Sequence, residues 1–297
     1  MADYQSALRS ITYLNTSETP DPIPRSISFT TTDGSAQSNT HDQLVIVLPV
    51  NDVPVLSGVS GASISYLEGS GAVPLSAALM LQDADNVNIA SASVQITGNF
   101  NPVEDILSAV TFPGISSVFD QQTGTLSLSG SAPLADYQSV LQSVSYANTS
   151  ANPDLTVRTV TYTVSDGQSV SNGFTGDIVI QPVNDAPNIN SIGAAPGTFV
   201  ENSAGVLPAT TLSLLDIDSS HLQSATVSII NNYNPGEDSL LFTNQSGITG
   251  IFDTSTGVLA LTGNATVASY EDALRTCLLY TSPSPRDQRG SRMPSSA

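Results

Sequence analysis

Hydrophobic and polar residues alternate along most of this chain, in short runs closed by turn residues. Val157 to Ser165 (VRTVTYTVS) sets β-branched or aromatic residues against polar ones and stops at Asp166-Gly167, after which Gly173 to Gln181 begins a second run. The same order recurs as Ser26 to Thr32, Asp33-Gly34 and Gln43 to Leu48, and the pattern predicts further strands at Ile64 to Leu67, Leu75 to Leu81, Ser91 to Thr97 and Thr125 to Ser129. About seven short strands per unit, separated by turn signals, predict an all-β fold built of antiparallel β-sandwiches. One segment breaks the period. Leu134, Tyr137, Val140, Leu141 and Val144 fall at helical spacing, as do Tyr4, Leu8 and Ile11, and Tyr270 and Leu274. They predict a short helical crossover between the sheets, with the tyrosine as a buried packing anchor.

The pattern repeats without a gap every 133 residues. Tyr4, Asp33, Asn51, Asp52 and Pro54 return as Tyr137, Asp166, Asn184, Asp185 and Pro187, while Glu68, Asp83, Asp85, Glu104, Asp105 and Gly124 return as Glu201, Asp216, Asp218, Glu237, Asp238 and Gly257. One folded unit is therefore copied in tandem. Proline cannot donate to a strand ladder, so Val50-Asn51-Asp52-Val53-Pro54 and Val183-Asn184-Asp185-Ala186-Pro187 mark the ends of units. The expected segments are 1–53, the end of one repeat; 54–186, a whole repeat; and 187–276, the first part of a third.

The register fails at Cys277. The run CLLYTSPSPRD, with SRMPSSA after three variable residues, resembles a translated sequencing-library adapter, and 277–297 is expected to be an unstructured artefact tail. Without it the chain has 25 acidic residues against four arginines, no lysine and no cysteine. Such a charge excludes attraction to nucleic acid or to anionic lipid, and its natural counterions are cations. No apolar run has the length of a membrane span, so no direct membrane insertion is expected. Both ends read as breaks within a longer gene, with secretion signal and anchor lying elsewhere.

The unit boundaries also hold the candidate chemistry. Asp83-Ala84-Asp85 and Asp216-Ile217-Asp218 place two carboxylates at a spacing of two, on one side of an extended backbone. Together with Glu68, and with Asp52 at the preceding boundary, they could enclose an ion. Ca²⁺ fits a set of hard oxygens, whereas the His and Cys that zinc or copper would take are nearly absent. Asp33-Gly34 and Asp166-Gly167 read most simply as hairpin tips.

Tyr162-Thr163-Val164-Ser165-Asp166-Gly167, followed by Ile178 to Pro187 (IVIQPVNDAP), resembles the end of a cadherin repeat, and Val200-Glu201-Asn202-Ser203 with Asp83-Ala84-Asp85 is similar to its start. The resemblance runs through residues 1–276, with chondroitin-sulfate-proteoglycan-type repeats as the neighbouring family. It implies Ig/cadherin-like sandwiches, Ca²⁺ as cofactor, and metal ligands at Asp52, Glu68, Asp83, Asp85, Asp185, Glu201, Asp216 and Asp218. It further implies an extracellular or cell-surface setting, cell adhesion, and neighbouring repeats of the same chain as partners, with a surface protein or glycan beyond them. The linker departs from the family's D-x-N-D-N-x-P: Pro49 and Pro182 stand at its first Asp, and Asp136-Tyr137-Gln138 carries an amide where the family's ligand triplet has Glu. Fewer oxygens imply fewer ions per junction and weaker binding.

An enzyme is not expected. Glu104-Asp105 and Glu237-Asp238 offer carboxylates, but neighbours on an extended chain face opposite ways, and a site copied into each unit reads as architecture. The rival reading is a carbohydrate- or surface-binding sandwich. Trp is absent, and most Tyr and Phe occupy inward positions. The sequons at Asn15, Asn148, Asn244 and Asn264 mark potential attachment only.

Overall fold

Strict alternation in the sequence becomes strict alternation of burial. In the strand Arg158–Ser165 every second side chain, beginning with Arg158, is buried, while the strands on either side keep the rule with one break each, burying Ile89, Ala92, Val94 and Ile96 in one and Phe174, Ile178 and Ile180 in the other. The computed structural model describes residues 2–58, 63–192, 197–200 and 205–281. The chain divides into two compact units, Met1–Pro182 and Val183–Ala297.

In order, the first unit contains α1 (Ala2–Arg9), β1 (Arg25–Phe29), β2 (His41–Val45), β3 (Val55–Ser57), β4 (Ser63–Leu67), β5 (Val73–Pro74), β6 (Met80–Gln82), β7 (Asn88–Gly98), β8 (Asp105–Ser108), β9 (Ser116–Asp120), β10 (Thr125–Pro133), α2 (Leu134–Gln142), β11 (Ser145–Asn148), β12 (Arg158–Ser165) and β13 (Phe174–Gln181). A six-stranded sheet runs β4-β13-β12-β7-β10-β9. A three-stranded sheet, β5-β11-β8, and the pair β3-β6 supply the rest of a single core in which Leu56, Leu81, Leu107 and Tyr146 join Val94, Leu128, Val160 and Ile178. This is a β-sandwich, antiparallel except where β13 takes β4 as a parallel neighbour. Leu75 to Leu81 does not form one strand: β5 pairs with β11, whereas β6 pairs with β3, so the chain changes partners between them.

The helix lies where spacing placed it, between the six-stranded and the three-stranded sheet in chain order. Tyr137, Val140 and Leu141 are its buried face. Gln138 accepts from the Leu81 N–H at 3.0 Å and the Gln142 amide donates to the Leu79 carbonyl at 2.7 Å, so its polar side is tied to β6. The Tyr137 hydroxyl donates to the Gly130 carbonyl at 2.6 Å. Gly130 sits in a bulge of β10, at φ +129°, where an added Cβ would come within 2.1 Å of the Gly114 carbonyl oxygen. Tyr270, Gly263 and Gly247 repeat this device, the hydroxyl again 2.6 Å from the glycine carbonyl.

The second unit contains β14 (Asn188–Ser191), β15 (Ser213–Leu215), β16 (His221–Ser228), β17 (Asp238–Leu241), β18 (Thr249–Asp253), β19 (Val258–Thr266), α3 (Val267–Arg275) and β20 (Leu278–Thr281). The sheet β16-β19-β18 reproduces β7-β10-β9, and β17-β20 reproduces β8-β11. The expectation of an unstructured stretch from residue 277 is corrected here for its first five residues. Cys277 is buried in the core, and Leu278–Thr281 pairs with β17 in the register that β11 keeps with β8. Backbone pairing asks little of sequence, and Cys277 and Leu279 present apolar side chains where Val144 and Tyr146 stand. Residues 282–297 lie outside the described residues.

Glu104 and Asp105 do not face opposite ways. The backbone turns just before β8, both N–H groups bonding to the Asn101 carbonyl, and both carboxylates reach one guanidinium. Arg158 Nε lies 3.1 Å from Asp105 and its Nη2 lies 3.5 Å from Glu104, with Arg158 and Asp105 fully buried. The Tyr146 hydroxyl and the Asn148 amide donate to the remaining oxygen of Asp105 at 2.6 and 3.1 Å. Burial, reinforced by that carboxylate, pushes the Tyr146 hydroxyl far above the ordinary phenol range.

Removing one partner of a buried, hydrogen-bonded ion pair costs about 3–5 kcal/mol. Asp105→Ala is expected to destabilise the first unit by that amount in urea denaturation followed by tyrosine near-UV dichroism, and Tyr137→Phe by about 1 kcal/mol. Gly130→Ala, forced into a left-handed conformation, is expected to lose about 1–3 kcal/mol from backbone strain alone.

Candidate metal site at the linker

Two turns, each made by an aspartate side chain, stand beside each other because β7 and β12 are neighbours. In the turn between β6 and β7, Asp83 Oδ1 accepts from the N–H groups of Asp85 and Asn86 at 3.2 and 2.8 Å. In the turn between β12 and β13, Asp166 Oδ1 accepts from Gln168 and Ser169, both at 2.6 Å. Asn and Asp favour such turns because the side chain imitates a backbone acceptor. β7 and β12 pair up to Ser91 and Ser165, which brings the turns together.

The linker crosses this pair of turns. Asn51 Nδ2 donates to Asp166 Oδ2 at 2.8 Å, and Asn86 Nδ2 donates to Asn51 Oδ1 at 3.1 Å and to Asp85 Oδ1 at 3.0 Å. The Asp52 N–H bonds to Asp85 Oδ2 at 3.2 Å. Burial, aided by the hydrogen bond to Asp85 and by repulsion from it, raises the Asp83 carboxyl above the usual range, against the N–H bonds that lower it. At Asp166 burial also raises the carboxyl, but the Ser169, Asn51 and Gln168 donors prevail and hold it low. Asp83 Oδ2 is buried and has no hydrogen-bond partner among the described residues.

The second unit repeats the arrangement from its own residues. The Asp185 N–H bonds to Asp218 Oδ2 at 3.0 Å, the Ser219 N–H bonds to Asp216 Oδ1 at 2.9 Å, and Asn184 donates to the Asp185 carbonyl at 2.8 Å. Here the buried oxygen without a hydrogen-bond partner among the described residues is Asp218 Oδ1, on the counterpart of Asp85 and not of Asp83. Ser219 stands where the first unit has Asn86, and its hydroxyl lies 3.5 Å from Asn184 Oδ1.

The structure places Asp52, Asp83 and Asp85 together at the first boundary and Asp185, Asp216 and Asp218 together at the second, in a geometry that the spacing does not predict. Asp83 and Asp85 belong to a turn closed by a side chain, not to an extended stretch, so alternation does not govern their directions. Glu68 is not with them. It follows β4, whose parallel pairing with β13 carries it to the Gln181 end of the sandwich, where its N–H bonds to the Gln181 carbonyl. The Asp83 and Asp166 turns are at the opposite end of β13, about 25 Å away along the strand. Glu201 lies outside the described residues. Asn86 was not singled out, and with serine at the equivalent position the repeat gave no signal for it. Arg158 was also missed, although Arg25 stands 133 residues before it and only four arginines precede Cys277.

Among the described residues no three His, Cys, Asp or Glu side chains converge as a ready cage for a metal. What the two boundaries hold is a carboxylate pair, a neighbouring amide oxygen and one buried oxygen still lacking a donor. Those are hard ligands of the kind Ca²⁺ or water accepts. No helix among the described residues is long and apolar enough to cross a membrane.

No family model matches the chain. A curated relative, Halomucin of Haloquadratum walsbyi, is 33% identical over 103 residues, which is 32% of this chain and 1% of Halomucin's own length. Among solved structures, human CDH23 EC21-23 is similar at 14% identity with a TM-score of 0.30, covering 81% of this chain and 64% of that one. Mouse Cadherin-23 EC22-24 is similar at 15% identity with a TM-score of 0.26, covering 84% and 69%. Likenesses this distant add nothing to the sheet topology, which rests on the strand pairings themselves.

Proposed function

We propose that the chain is a non-catalytic, calcium-binding segment of an extracellular repeat array, a stalk whose junctions are stiffened by the ion and whose whole repeat spans 54–186. The observation that carries this reading is the duplicated boundary, with the same bonds at Asp52, Asp83 and Asp85 and at Asp185, Asp216 and Asp218; each also holds one buried carboxylate oxygen that no donor among the described residues satisfies, on the first aspartate of the pair in one (Asp83) and on the second in the other (Asp218). The donor set fits a hard divalent cation. Asp83 and Asp85, with Asp166 and the Asn51 amide oxygen, would hold one ion, and Asp216 and Asp218, with Asn184, another. Bound Ca²⁺ would supply positive charge between carboxylates that otherwise repel. Asn51, Asn86 and Asp166 fix the linker across the turns, so that a cation there meets oxygens already ordered. Glu68 takes no part in the Asp83 site. A lysine-free acidic surface suits a segment that stays hydrated and apart from its surroundings.

Calorimetric titration of the full chain is expected to give binding in the range of about 10⁻⁴–10⁻³ M, typical of extracellular modules. Asp83→Asn with Asp85→Asn should remove one class of sites, and Asp216→Asn with Asp218→Asn the other. No heat with the unmodified chain would end the calcium reading. Limited proteolysis is expected to cut near Asn51 several times faster in chelator than in calcium. Equal cutting, with equal small-angle scattering dimensions in the two conditions, would show that the ion does not stiffen the linker.

A further inference from the structure

In the complete repeat the chain enters and leaves at opposite ends of the sandwich. Asn51 and Asp52 are bonded to the aspartate turns at one end, and β13 delivers the chain to Gln181 at the other, about 25 Å away along the strand. Between these points β4 runs parallel to β13 through five register pairs, from Ser63 opposite Asp177 to Leu67 opposite Gln181. The Glu68 N–H, bonded to the Gln181 carbonyl at 3.0 Å, continues the ladder past the end of β4. Among the described residues β4 has no other strand partner, whereas β13 is held on its far side by five pairs with β12, which is itself bound to β7 in the middle of the sheet.

The parallel direction decides how these bonds meet a pull along the chain. Tension that draws Val53 toward one end and Gln181 toward the other slides β4 backward along β13, so every bond of the ladder is loaded at once. Tension applied across one end of the ladder would instead open the bonds in turn, each carrying the whole force. Side chains oppose the sliding too. Ile64 packs against the core and Tyr66 is buried in it; the Tyr66 hydroxyl donates to the Asn148 carbonyl at 3.1 Å, and its ring meets Tyr146 edge-on, with centroids 5.0 Å apart. A slip of one residue would turn the buried face of β4 outward, and a slip of two would draw Tyr66 out of its place. Ahead of β4, the strand β3 is held more lightly, by three register pairs with β6 and by the Leu56 N–H bonded to Asn172 at 3.3 Å.

We propose that the complete repeat is a force-resisting module, in which the parallel β4–β13 ladder is the clamp that transmits tension along the array. Tension along the chain presupposes the stalk reading, whereas the resistance comes from the ladder and needs no ion. Under a lengthwise pull the linker bonds and β3 yield first and extend the chain by a short step. The ladder then sets the force at which the core opens, because β4 takes Ile64 and Tyr66 with it and uncovers Ile178 and Ile180. Forced unfolding is governed by the barrier and not by the equilibrium stability, so one fold is strong along the chain and weak across it.

Single-molecule pulling in chelator separates the clamp from calcium. Thiol handles are placed on the full chain with Cys277→Val, valine being the residue at the equivalent position 144. Handles at Val53→Cys and Gln181→Cys load the ladder lengthwise, while handles at Leu67→Cys and Gln181→Cys, a register pair, load it from one end. All three positions are exposed, so the core is untouched. The lengthwise pull is expected to open the module at several times the force of the end-on pull, releasing roughly 400 Å of chain at about 3.5 Å for each residue between the handles. Equal forces in the two geometries would overturn the proposal. So would a lengthwise force that is high in calcium and falls to the end-on value in chelator, because the ion and not the ladder would then carry the tension. A chain that binds no calcium by calorimetry yet keeps the high lengthwise force would end the calcium reading and uphold the clamp.

Discussion

The pairing of β7 with β12 is the constraint on which the rest of this molecule depends. It aligns seven residue pairs across the middle of the six-stranded sheet and buries Val94, Ile96, Val160 and Tyr162 in one layer. Its two ends do different chemistry. At one end β12 begins with Arg158, whose guanidinium can be buried only because Glu104 and Asp105 meet it there. At the other, the strands run into the aspartate turns at 83–86 and 166–169, and their adjacency gives Asn51 something to bind. Core register, ion pair and linker geometry thus share one cause.

Much of this was legible because it obeys short periods. The helix at Leu134–Gln142 and its buried tyrosine follow from 3.6-residue spacing, and β12 from strict alternation. Features set by partners farther along the chain were not. β9 lies at the sheet edge and β11 follows the helix, so neither has a long alternating run of its own. The parallel pairing of β4 with β13 left no trace in either strand, and it decides that Glu68 stands at the far end from Asp83. Acid spacing marked the boundary as a candidate but did not carry its shape, since Asp83 spends one carboxylate oxygen on closing its own turn.

Amides, more than charges, hold the linker in place. Five acidic or amide side chains meet at the first boundary, and the Asn51 and Asn86 amides lie between carboxylates that would otherwise repel. The amides donate to Asp85 and Asp166 but leave Asp83 Oδ2 without a donor among the described residues, a cost that falls on the charged form and so raises the Asp83 carboxyl. A cation bound there as proposed would reach Asp83 Oδ2, the oxygen that the amide clasp does not satisfy. The second boundary has serine for Asn86, and its contact to Asn184 is longer at 3.5 Å. With a weaker clasp, more of its order must come from whatever satisfies Asp218.

The repeat also supplies an internal comparison that no single domain offers. Tyr270 meets Gly263 as Tyr137 meets Gly130, and β20 takes the register of β11 although its sequence is unrelated, so the helix–bulge contact and the β17–β20 pairing form without a counterpart of the β12–β13 hairpin among the described residues. Closure of the core and burial of Asp238 do not. The helical half of the fold is thus self-sufficient in its contacts, while the hairpin completes the charge balance as well as the apolar layer: without an arginine opposite, the Asp238 carboxylate stays partly in solvent, where an unpaired charge is tolerable.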